Sequence, residues 1–144
     1  MNAHKARKRF GQNFLVDRAT LAECVAAIDP KPGQPIVEIG PGLGALTAGL
    51  LAKVGHIDAI EIDRDIIAQL QKQFAREQLS VYSADALAFD FSRFGVGLRV
   101  VGNLPYNIST PLLFHLKRFS AIICDMHFML QKEVVERMIA GPGG

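Results

Sequence analysis

The stretch Ile36-Val37-Glu38-Ile39-Gly40-Pro41-Gly42-Leu43-Gly44 decides the fold. Its first four residues are rich in β-branched side chains and read as a strand. The glycines that follow allow a tight turn and let a ligand approach the main chain. Ala45 to Lys53 then reads as a helix, so the stretch is a strand–turn–helix unit. Its spacing is Gly-x-Gly-x-Gly, whereas a dinucleotide site usually shows Gly-x-Gly-x-x-Gly before its pyrophosphate. That difference favours a nucleoside ligand without a pyrophosphate.

Working outward, the same alternation continues on both sides. Asp17 to Ile28 reads as a helix, with Leu21, Val25 and Ile28 at helical spacing and Asp17 as N-cap. Pro30, Pro32, Gly33 and Pro35 end it. Downstream, Ile57 to Ile62 is a strand, Arg64 to Gln78 a helix and Ser80 to Ser83 a third strand. Leu98 to Gly102 is a fourth strand, ending at Asn103; Thr110 to Lys117 is helical. Ala121 to Leu130 contains a fifth strand and Lys132 to Ala140 a last helix. This order predicts an α/β fold, a parallel sheet with right-handed crossovers and helices on both faces. Ligands of such sheets lie at the carboxyl ends of the strands.

Composition excludes several classes. The chain has 144 residues, 49% hydrophobic and 21% charged, which is ordinary for a globular domain and unlike a disordered or collagen-like chain. No apolar run approaches the ~20 residues of a membrane span, and the N-terminus lacks the apolar stretch of a signal peptide. Cys24 and Cys124 show no paired spacing and read as reduced, buried thiols of a cytoplasmic protein. His4, His56, His115 and His127 have no ligand spacing, so no metal site is expected. The net charge of +2 is unevenly spread. Lys5, Arg7, Lys8 and Arg9 lie in the first ten residues with no acid, and the remaining 12 bases face 14 acids. The positive charge thus sits in a short N-terminal arm, either a solvated tail or a phosphate contact.

Three further strand ends carry chemistry. Glu61 closes the second strand, 17 residues after Gly44, where a carboxylate can accept hydrogen bonds from both hydroxyls of a ribose. Asp63 and Asp65 suit the cap and first turn of the next helix better. Asp85 follows the third strand and can accept the exocyclic amine of an adenine; alone it would read as a turn or cap residue. After the fourth strand comes Gly102-Asn103-Leu104-Pro105-Tyr106-Asn107. Asn103 offers a side-chain carbonyl and Pro105 a backbone carbonyl on a stiff turn. Together they can accept both N–H bonds of a flat exocyclic amine. Tyr106 supplies a ring on which a base can stack, worth about 1–3 kcal/mol. The N6 lone pair of adenine is delocalised into the ring, so the amine is a poor nucleophile. Acceptors aimed at it stabilise the positive charge that grows on nitrogen during alkylation.

Four stretches together resemble the KsgA-type (RsmA) ribosomal RNA adenine dimethyltransferases. They are Arg9-Phe10-Gly11-Gln12-Asn13-Phe14-Leu15, Glu38-Ile39-Gly40-Pro41-Gly42, Gly102 to Pro111 and Phe128-Met129-Leu130-Gln131-Lys132-Glu133-Val134. The Erm enzymes, which modify large-subunit RNA, share the Gln-Asn-Phe and Asn-Leu-Pro-Tyr-like motifs. Arg9-Phe10-Gly11 and Leu130 to Glu133 look like the KsgA type instead.

The resemblance implies a Rossmann-like class I fold that uses S-adenosyl-L-methionine. It implies dimethylation of N6 of two adjacent adenosines in small-subunit (16S) rRNA during ribosome biogenesis, with the assembling small subunit as partner and no membrane. Carried over, Asn13 and Leu15 close over the methionine part of the cofactor and Gly40 contacts it through backbone. Glu61 holds the ribose, Asp85 the cofactor adenine, and Asn103 touches both cofactor and target amine. Pro105 and Tyr106 complete the target pocket, and the basic arm becomes an RNA contact. Family members are nearly twice this long, with a seven-stranded sheet and a small helical C-terminal domain. The expected organisation is therefore 1–16 as basic arm and cofactor lid and 17–144 as the first part of the catalytic domain. The last strands and the C-terminal helical domain are expected to be absent. Three rivals stand beside this reading: a non-catalytic RNA-binding assembly factor, an Erm-like large-subunit enzyme and a nicotinamide oxidoreductase.

Overall fold

Ile36–Ile39 (β1) is buried along its whole length, as expected of a central parallel strand covered on both faces. The computed structural model describes residues 17–130. Asn13, Leu15, the basic arm and the expected helix at 132–140 lie outside the described residues. Around β1 stand Ile57–Glu61 (β2), Leu79–Ser83 (β3), Leu98–Leu104 (β4) and Ile123–Leu130 (β5). All pairings are parallel, in the order β3-β2-β1-β4-β5. The chain moves outward from β1 to β3, then returns to β4 on the other side of β1. The order of strands therefore reverses between β1 and β4, which is where open α/β sheets open a crevice for ligands.

Side-chain alternation divides the core in two. One cluster joins Ile36, Ile57, Ala59, Leu79 and Val101 to Val25, Leu50 and Leu70. Those last three come from Arg18–Ile28 (α1), Ala45–Leu51 (α2) and Arg64–Gln73 (α3). The other joins Val37, Ile39, Ile60, Leu98 and Val100 to Phe89, Phe91, Leu112 and Leu116. Its cover is Tyr106–Leu116 (α4) with the short 3-10 turns around Phe89 and Phe91. Helices thus cover both faces, as the sequence predicts. Asp17 caps α1 by accepting the Thr20 N–H at 2.8 Å.

Three helices depart from their predicted bounds, α2 by ending at Leu51 rather than Lys53. α3 ends at Gln73, because Phe74 adopts an extended backbone (φ −122°, ψ 141°). Its ring then lies 3.0 Å from where a Cβ on Gly44 would stand, and Gly44 has φ +87°, so a side chain at this position would be both crowded and strained. α4 begins at Tyr106, four residues earlier than expected. Pro105 has φ −61°, already suited to a helix entrance, and Pro111 is accommodated inside the helix. β4 runs on to Leu104, so Asn103 lies within the strand.

The cysteines are free, but they are not the buried pair expected: Cys24 is half-buried and Cys124 exposed. Cys124 lies on β5, which among the described residues pairs only with β4 and exposes its even-numbered positions through Met126. Among the described residues no helix is long and apolar enough to cross a membrane, and no cluster of three or more His, Cys, Asp or Glu could hold a metal.

Candidate functional site

The carboxyl ends of β1 and β4 flank the point where strand order reverses, and the ends of β2 and β3 continue the row. β1 runs into Gly40, whose φ of +65° requires glycine and whose N–H donates to the Ile60 carbonyl at 2.9 Å. A Cβ there would meet Leu104 Cδ2 at 3.4 Å. The turn closes with the Gly44 N–H on the Pro41 carbonyl at 3.0 Å, and Gly44 begins α2.

Glu61 is the last residue of β2 and only 8% exposed. Its carboxylate accepts the N–H groups of Ile62 and Asp63, each at 3.1 Å. The Gly42 N–H of the glycine turn also favours the ionised carboxylate. Burial still raises the Glu61 carboxyl above its ordinary value, outweighing these backbone N–H groups. Asp63 caps α3, accepting from Asp65 and Ile66 at 2.8 and 3.2 Å. Asp85 lies just past β3, exposed, and its side chain accepts the Leu87 N–H at 2.9 Å. The Ala84 N–H donates to the Glu61 carbonyl at 3.1 Å, which fixes this turn beside the end of β2.

On the other side of β1, Asn103 sits in β4 one residue beyond Gly102, the partner of Ile39, and its side-chain oxygen is shut off from solvent. The Pro105 carbonyl accepts N–H bonds from Ile108 (3.0 Å) and Ser109 (3.2 Å), so it forms the first bonds of α4. Tyr106 stands at the head of that helix, 46% exposed. Gly40, Glu61, Asp85, Asn103, Pro105 and Tyr106 therefore share one edge of the sheet. Asn13 and Leu15 lie outside the described residues.

Two residues on this edge escaped the sequence reading. Ile62 is 67% exposed between Glu61 and Asp63, an apolar side chain presented to solvent at a strand end. Its signal was an aliphatic residue directly after Glu61. Glu38 is 1% exposed inside β1, and its Oε1 accepts the Thr47 hydroxyl of α2 at 2.5 Å. Burial pushes its carboxyl up to about 7 against that hydrogen bond, with the nearby Glu61 charge adding to the rise. An acid in a four-residue strand of aliphatic residues was the legible sign.

The sequence profile of the family described as ribosomal RNA adenine dimethylase matches residues 3–144. The ribosomal RNA small subunit methyltransferase A of Dechloromonas aromatica is 62% identical over 143 residues, covering 99% of this chain and 56% of that protein. The protein of the same name from Bordetella pertussis is 57% identical, covering 99% and 54%. The chain thus spans about half the length of these relatives. Among solved structures, a dimethyladenosine transferase from Plasmodium falciparum superposes with a TM-score of 0.70 at 32% identity, covering 91% of this chain and 48% of that one. The 23S rRNA methyltransferase ErmE gives 0.72 at 27% identity, covering 91% and 52%. With this five-stranded sheet and the glycine turn at its reversal point, the chain belongs to the ribosomal RNA adenine dimethylase family.

Proposed function

We propose that this chain carries the methyl-donor site and the target-amine site of an S-adenosylmethionine-dependent N6-dimethyltransferase for adenosines of small-subunit rRNA. The observation that carries the reading is the single row formed by Gly40, Glu61 and Asp85 on one side of the reversal point and Asn103 to Tyr106 on the other. The residues fit the donor. Gly40 leaves open a cradle that a side chain would narrow, and Glu61 and Asp85 are acceptors suited to ribose hydroxyls and an adenine amine. Ile62 offers an apolar surface for one face of that adenine. Asn13 and Leu15 would close over the methionine end.

When bound, the donor supplies an electrophilic methyl group. The chain's own part is to hold, orient and desolvate the target. Asn103 accepts an N–H of the target amine and stabilises the charge that develops on nitrogen. Tyr106 stacks on the base, which must be unstacked from its RNA at a cost of a few kcal/mol. Pro105 contributes the rigid turn that aims Asn103 and Tyr106; its carbonyl can join as an acceptor only by sharing with the Ile108 and Ser109 N–H groups. No general base is required, since the alkylated nitrogen loses its proton readily to water. The names and 57–62% identities of the bacterial relatives favour the small subunit over the ErmE-like large-subunit target.

The test is transfer of labelled methyl from S-adenosylmethionine to purified small and large subunits lacking the modification. Label on small-subunit adenine N6 is the expected result. Asn103→Ala should lower the transfer rate by about 100-fold or more while leaving the thermal unfolding curve nearly unchanged. Labelling of large subunits would instead support the Erm-like target. A wild-type rate no higher than that of Asn103→Ala would support a non-catalytic assembly factor.

A further inference from the structure

The buried carboxyl of Glu38 has no part in the chemistry above, yet it lies at the centre of the site. Glu38 is paired with Ala59 of β2 and Val101 of β4. Glu61 stands two residues beyond Ala59, and Asn103 two residues beyond Val101. Because side chains alternate along a strand, Glu38, Glu61 and Asn103 belong to the same face, the one covered by α2. Neighbouring strands lie about 4.8 Å apart and two residues rise about 6.6 Å. Glu38 is therefore one pleat below the row and midway between its two flanks, under the glycine turn.

Its surroundings hold it without neutralising it. Thr47 of α2 donates one hydrogen bond; the strand partners Ala59 and Val101 carry no charge. The ionisable neighbour that acts on it among the described residues is Glu61 from β2, itself an acid. No cationic side chain of the described residues is hydrogen-bonded or ion-paired to Glu38, so its charge is left for something positive that enters from above.

We infer that Glu38 is a proton-exchanging positioning residue of the donor site: it releases its proton to solvent when a positively charged sulfonium donor binds above it and regains one when the neutral thioether product takes the donor's place. The inference rests on the S-adenosylmethionine reading of the site. In the exchange the carboxyl O–H bond breaks, the proton passes to water or buffer, and no electrons are transferred. The consequence is discrimination. The ionised form attracts donor more than product, so product release is favoured as soon as the methyl group has left.

The experiment is calorimetric titration of the protein with S-adenosylmethionine and with S-adenosylhomocysteine, in two buffers of different ionisation enthalpy. Wild type is compared with Glu38→Gln. With the free carboxyl near 7, the donor should release up to about half a proton at pH 7, and the product clearly less. Glu38→Gln, which keeps an acceptor for Thr47, should abolish this difference. Protons belonging to the ligands are the same in both variants and drop out of the comparison. The ratio of donor to product affinity should rise up to about tenfold between pH 6 and 8 in wild type and stay level in Glu38→Gln. Thr47→Val removes the hydrogen bond that favours the ionised form, so it should move the midpoint of that rise to higher pH. A side chain that only fills space would leave the midpoint where it was. Equal proton release and equal pH profiles in wild type and Glu38→Gln would overturn the inference while leaving the donor site standing. Failure of folded wild type to bind either ligand would overturn both.

Discussion

A carboxyl group buried to 1% exposure in the middle of a sheet is a liability for folding, and Glu38 makes that liability dependent on pH. Its folded value of about 7 lies above its ordinary 4.5. Between these values the folded chain holds a proton that the unfolded chain has lost, so stability falls as pH rises through that window and stays low above it. In the donor-free protein, Glu38→Gln should therefore gain stability relative to wild type between pH 5 and pH 8, on the order of 3 kcal/mol. Urea unfolding at the two pH values measures it. A difference that does not change with pH would mean that Glu38 is not the group paying this penalty. The same single position shows how residue-level signals are read from sequence. Glu61 and Asp85 could be placed at a strand end from sequence because each ends or follows a short β-rich run; Asn103 was expected at the end of β4 and lies one residue inside it. Glu38 was visible as an acid among aliphatic residues but carried no assigned role, since its partner Thr47 is brought to it only by the packing of α2 on β1.

At the scale of elements, the strands were legible nearly to the residue and the helix ends were not. A buried strand announces itself by its β-branched residues, and β1, with Ile36, Val37 and Ile39, does so. Helix ends depend on what the chain meets next. Nothing local to Phe74 stops α3; its ring turns away to pack over Gly44, a contact between segments thirty residues apart. Likewise Asn107, Ser109 and Pro111 are poor helix formers, yet α4 starts at Tyr106 because Pro105 sets its entrance. The joint between α1 and the sheet is held by Arg99. Its guanidinium donates to both carboxylate oxygens of Asp125 at 2.9 Å, to the Gln34 side chain at 2.8 Å and to the carbonyls of Ile28 and Asp29 at the end of α1. A cation there also complements the helix C-terminus. The Asp125 carboxyl is held below its ordinary value, first by the Arg99 hydrogen bonds. Arg99→Met should cost about 3 kcal/mol, because it leaves a carboxylate and several carbonyls without their donor. Asp125→Asn, at a side chain about a third exposed, should cost about 1 kcal/mol. Urea unfolding measures both; two costs that are equal and small would remove Arg99 as the joint.

For the molecule as a whole, topology explains why distant motifs make one site. The glycine turn, Glu61, Asp85 and Asn103 span more than sixty residues of sequence, and only the β3-β2-β1-β4-β5 order brings their strand ends into a row. The alternation of strands and helices made a parallel sheet legible, and with it the rule that ligands gather at its carboxyl edge. The order of the strands was not readable from local pattern. It is set by which strands pair across the sheet, and it is explicit only in that pairing. On the proposed function, these five strands build a working donor pocket. Calorimetric titration of the 144-residue chain with S-adenosylmethionine, beside Glu61→Ala, tests it most directly. Saturable one-to-one binding is expected, weakened in Glu61→Ala by about 1–3 kcal/mol, the scale of a lost charged hydrogen bond. No binding by a chain whose circular dichroism shows it folded, or binding that Glu61→Ala leaves untouched, would contradict it.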